Sequence, residues 1–94
     1  MNNELHDFAR ACYVRVNEMV IEALDAMVPL ILAGAETPEQ FASSEAWFKA
    51  QDAIEKAVAD GNKPRVELLC NEYEKRAEKY CRQVVDGMRR KVAA

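Results

Sequence analysis

Glycine and proline are scarce, three of each in 94 residues. That is too little punctuation for a β sandwich or barrel, whose short strands need turn residues about every 8–12 positions. Aromatics are few, 7%, so the core must come from aliphatic side chains and alanine. There is one histidine, His6, in what reads as the first turn of a helix, and no serine or cysteine is patterned beside it as a nucleophile would be. The three cysteines, Cys12, Cys70 and Cys81, form neither a CxxC pair nor a Cys/His cluster. Cys70 and Cys81 would lie roughly 16 Å apart along one helix, too far to share an ion. Glu18 and Glu22 resemble half of a carboxylate metal site without its Glu-x-x-His partners. No metal, cofactor or enzymatic centre is predicted.

A long clean apolar run is missing too. The stretch from Met19 to Ala35 is broken by Glu22, Asp25, Pro29 and Gly34, short of the roughly 20 residues of a membrane span. The opening residues show no basic region followed by an apolar one, and an odd cysteine count suits a reducing compartment. These features predict a cytoplasmic protein without a membrane partner.

What is present is helical periodicity. Val66, Cys70, Tyr73, Ala77, Tyr80 and Val84 recur at steps of four and three, which places them on one stripe of an α-helix. A first helix is predicted from about Asn3 to residue 33, with Leu5, Phe8, Cys12, Val16, Met19, Ala23 and Met27 as its apolar stripe and a kink or break at Pro29. Thr37-Pro38-Glu39-Gln40 reads as a helix start, giving a second helix over 38–59 with Trp47, Ala50, Ile54, Ala57 and Val58 facing inward. Pro64 opens a third, over 64–92. Such long helices in one 94-residue domain imply an elongated shape. The predicted class is all-α: an antiparallel three-helix bundle or helical hairpin with long first and third helices, completed by homodimerisation.

Past Met19 the first helix is too apolar for a single buried stripe, and Met19, Val20, Ile21, Leu24, Val28 and Ile31 are the predicted dimer interface. Phe41, Trp47 and Phe48, with Glu45 and Asp52 beside them, form the candidate surface for a protein partner.

Charge is divided along the chain. Residues 1–62 carry eleven acids and four bases, and residues 63–94 carry nine bases and five acids. The halves either pack on one another or turn the basic one toward an anionic partner. Lys75, Arg76, Lys79, Arg82, Arg89 and Arg90 make a basic face on the third helix, the alternative being a dimeric nucleic-acid-binding protein. Glu72, Glu74, Glu78 and Asp86 interrupt that face. In general style the chain resembles the small helical regulators and inhibitors carried by phages and plasmids. It is predicted to act as a non-enzymatic protein–protein interaction module: a regulator, adaptor or inhibitor, one form being an inhibitor of a nucleic-acid-handling enzyme.

Overall fold

The computed structural model describes residues 3–37 and 45–93. They form three helices, α1 (Asn3–Leu32), α2 (Glu45–Ala59) and α3 (Lys63–Ala93), packed on one another. The proposed helix start at Pro38 lies outside the described residues. At 1.5 Å per residue α1 and α3 are each about 45 Å long, and they set the 52 × 18 × 17 Å envelope.

α1 does not stop at Val28 but carries through Pro29 to Leu32. Pro29 is on the solvent side, so the Asp25 carbonyl that loses its donor there is open to water instead of being stranded in the core. The helix ends in a Schellman motif: Gly34 N–H donates to the Ile31 carbonyl at 2.9 Å, and Ala35 N–H donates to that of Leu30 at 3.0 Å. Gly34 takes φ 103° to close it. α2 ends in the same way, with Gly61 at φ 68° and bonds from Gly61 to Val58 and from Asn62 to Ala57. Asn62 then caps α3, its Oδ1 accepting from Arg65 N–H at 3.3 Å.

The long helices lie side by side in the same direction. The Cys12 thiol donates to the Cys70 carbonyl at 3.6 Å, 58 positions on, Arg15 pairs with Glu74, 59 positions on, and Gly34 lies near Lys91 and Val92. The long pair therefore runs parallel, and α2 spans only part of its length. Where α2 is present, Leu5, Ala9, Cys12 and Val16 of α1 meet Ile54, Ala57 and Val58 of α2 and Val66, Cys70, Tyr73 and Ala77 of α3. Further along, Ala23 and Met27 meet Cys81, Val85 and Met88, and among the described residues this second core draws its buried side chains from α1 and α3. Met19 packs against both cores.

The buried stripe of α3 departs from the heptad reading after Ala77. It continues through Cys81, Val85 and Met88, while Tyr80 and Val84 are only half-buried. From Val66 to Met88 this is 22 positions in six turns, about 3.67 residues per turn, the repeat of a helix that does not supercoil to the left. Tyr80 is carried sideways onto Trp47, with centroids 5.7 Å apart in an edge-to-face contact. Likewise Ala9, not Phe8, faces the α1 core; Phe8 is exposed.

Candidate protein-interaction surfaces

Six residues of α1 carry the predicted dimer interface, and the fold separates them. Met19 and Val20 are half-buried against the molecule's own core. Ile21, Leu24, Val28 and Ile31 face outward with relative exposures of 48%, 39%, 53% and 46%. Steps of three, four and three place these four on one helical stripe, and Leu32 beside them is 84% exposed. Together the four form a contiguous exposed apolar row, and such rows on a monomer are often functional. Val14, also exposed, extends the row by seven residues toward the N-terminus. Its spacing from Ile21 was the available signal for it.

The α2 surface is split in the same way. Trp47 is half-buried and packs edge-to-face on Tyr73 (6.0 Å) as well as Tyr80. Phe48 is 59% exposed and borders a hollow of about 160 Å³ with Val16, Asn17, Val20 and Gln51. Asp52 is exposed on the outer side. Phe41 and the Glu45 side chain lie outside the described residues. Between α1 and α2 the Tyr13 hydroxyl donates to Glu55 Oε1 at 2.7 Å. Gln51 Nε2 donates to the Tyr73 hydroxyl at 3.0 Å. Burial first, then the bond to the Glu55 carboxylate, holds the Tyr13 phenol well above its ordinary pKa. These polar contacts escaped the sequence reading because they join residues 22 to 42 positions apart.

On α3, Lys75, Arg76, Lys79, Arg82, Arg89 and Arg90 are all exposed. Arg82 bonds Glu78 at 2.7 Å and Arg89 reaches Asp86 at 3.5 Å, so two of the six cations are matched within their own helix. The Arg15–Glu74 pair across α1 and α3 takes its base from the acidic segment and its acid from the basic one. That pair therefore runs counter to the segmental charge division.

The thiols sit in the interior: Cys12 and Cys70 are fully buried and Cys81 nearly so. Burial, then the neighbouring Cys70, pushes the Cys12 thiol up to about 12. Burial also raises Cys70 and Cys81. A protonated, enclosed thiol is a packing group and a poor nucleophile. Among the described residues, no group of three or more His, Cys, Asp or Glu side chains could hold a metal ion, and no helix is long and apolar enough to cross a membrane. The chain matches no protein-family model, no curated protein and no solved structure.

Proposed function

We propose that this chain is a non-enzymatic helical interaction module, a small cytoplasmic regulator, adaptor or inhibitor that binds another protein and self-associates through α1. In this reading α2 runs antiparallel to the long helices. The contacts of Tyr13 with Glu55, and of Val20 with the Trp47–Phe48 end of α2, support that direction. A second copy completes the thin half of the bundle. The observation that carries the proposal is the outward row Ile21, Leu24, Val28 and Ile31, set beside a core built, among the described residues, from α1 and α3. Apolar side chains at core spacing gain free energy when a partner removes them from water, about 25 cal/mol per Å².

The outer acids Glu36, Asp52 and Glu55 give the module a surface able to meet a basic groove, the form an inhibitor of a nucleic-acid-handling enzyme would take. The alternative, nucleic acid on the basic face of α3, is weakened by the pairing of Arg82 and Arg89 with acids. It requires binding to duplex or single strands that falls steeply with salt and with Lys79→Ala.

Absolute mass by light scattering over a wide concentration range tests the proposal. A dimer that persists at high salt and dissociates in Ile21→Glu, with helix content unchanged, is the expected result. A monomer at all concentrations would overturn self-association.

A further inference from the structure

Two of the three thiols meet across the α1–α3 interface. Cys12 and Cys70, 58 positions apart in the sequence, are both fully enclosed in the core that all three helices share. Ala9, one turn before Cys12, and Ala77, two turns beyond Cys70, are enclosed with them. Side chains this short let packed helices approach to the lower end of their usual separation of about 8–10 Å. The Cys12 Sγ lies 3.6 Å from the Cys70 carbonyl oxygen, so it reaches the main chain of the residue that carries the other thiol. The two side chains also hydrogen-bond to each other.

A disulfide requires Cα atoms no more than about 7 Å apart. Cys81 lies eleven residues beyond Cys70 on α3, roughly 16 Å by helical rise. Because α1 and α3 run in the same direction with Cys12 level with Cys70, Cys81 is as remote from Cys12, and it packs in the second core with Ala23 and Met27. Only Cys12 and Cys70 are placed to join.

We propose that Cys12 and Cys70 are a redox pair, closed by a small-molecule disulfide such as oxidised glutathione into a bond that ties α1 to α3 within the same fold. In the first exchange one cysteine thiolate attacks a sulfur of glutathione disulfide, giving a mixed disulfide and one glutathione thiolate. In the second, the other cysteine thiolate attacks the protein sulfur of that mixed disulfide and releases the second glutathione. The cysteines give up two electrons and two protons, and two glutathione thiols are formed. Neither enclosed site has room for a glutathione adduct, so the first exchange takes place on an opened chain and refolding brings the second thiol to it. Burial governs how fast the pair reacts, and alignment governs what it becomes. A reducing compartment keeps the pair open, and an oxidising one fastens the three-helix end of the molecule. The inference holds whether or not the chain self-associates.

The test refolds the full chain from urea into a glutathione redox buffer, blocks remaining thiols and maps the links by mass after trypsin, which separates the three cysteines because Arg15, Lys75 and Lys79 lie between them. The expected product is a chain lighter by two hydrogens with Cys12 joined to Cys70. Its urea midpoint should be higher than that of the reduced chain at the same protein concentration by roughly 2 M. The same oxidation in concentrated urea is expected to favour Cys70 with Cys81, the shortest loop available to an unfolded chain. Cys70–Cys81 as the main product after refolding would overturn the proposal, as would separate glutathione adducts, a covalent dimer or a chain that stays reduced. A Cys12–Cys70 bond that lowers the midpoint would show that the fold must distort to hold it, and would overturn it equally.

Discussion

Alanine at Gly87 and alanine at Gly34 add the same methyl group to opposite backbone settings. In α3 the new Cβ at Gly87 would meet only Arg90 Nη2, at 4.0 Å, an ordinary contact with the far end of a flexible side chain. With no steric cost, the helix interior gains about 0.5–1 kcal/mol from the smaller entropy of the unfolded chain. At Gly34 there is also room, nothing lying within 4 Å, but φ is 103°. An L side chain resists that conformation by about 1–2 kcal/mol, and the Schellman closure of α1 depends on it. The two variants should therefore bracket the parent chain and differ by about 2 kcal/mol. For a chain of this size that gap corresponds to roughly 1–2 M between urea midpoints. Circular dichroism at one fixed protein concentration reads it, since stability in a self-associating chain depends on concentration. Both variants moving in the same direction would refute the reasoning, because it would mean that space and not backbone conformation decides. A destabilised Gly87→Ala would indicate that another helix approaches α3 there.

Two further outcomes follow from the caps and the thiols. Asn62→Ala should cost about 1 kcal/mol in urea unfolding, by removing the acceptor for Arg65 N–H; an unchanged midpoint would mean that water replaces the cap without loss. The Cys12 thiol, raised from 9.0 to about 12, is protonated in both folded and unfolded chains below pH 9. Above that the unfolded chain ionises first. Stability is therefore predicted to fall between pH 9 and 12, and all three thiols should resist an aromatic disulfide reagent at pH 8 until the chain unfolds; rapid labelling of the folded protein would contradict their burial.

The all-helical class was legible because few glycines and prolines, a regular apolar stripe and strong terminal signals all agree. The register of α3 was legible only as far as Ala77. Repeats of 3.5 and 3.67 residues diverge too little over three turns to be told apart, and choosing the heptad put Tyr80 and Val84 where Cys81 and Val85 are buried. Asn62 was passed over because Pro64 gives the louder start signal, although the cap bond is made by the asparagine. Composition divided the charge by segment, whereas the Arg15–Glu74 pair follows the α1–α3 register, which no local pattern encodes. The outward row on α1 was partly legible: excess apolar residues marked the region, but assigning Met19 and Val20 to the inside required knowing where α2 and α3 lie.

Among the described residues, the change from three packed helices to two near Met19 divides the molecule into ends that open at different cost. Amide protons near Cys12 and Cys70, enclosed by all three helices, should exchange only through nearly complete unfolding. Those beyond Ala23 and Val85, which among the described residues have one neighbouring helix, have smaller excursions available to them. Any molecule seated on the thin end acts on that local equilibrium before anything else. Part of its binding energy goes into holding α1 and α3 together, so tightness of binding and slowness of exchange at that end should rise as one quantity.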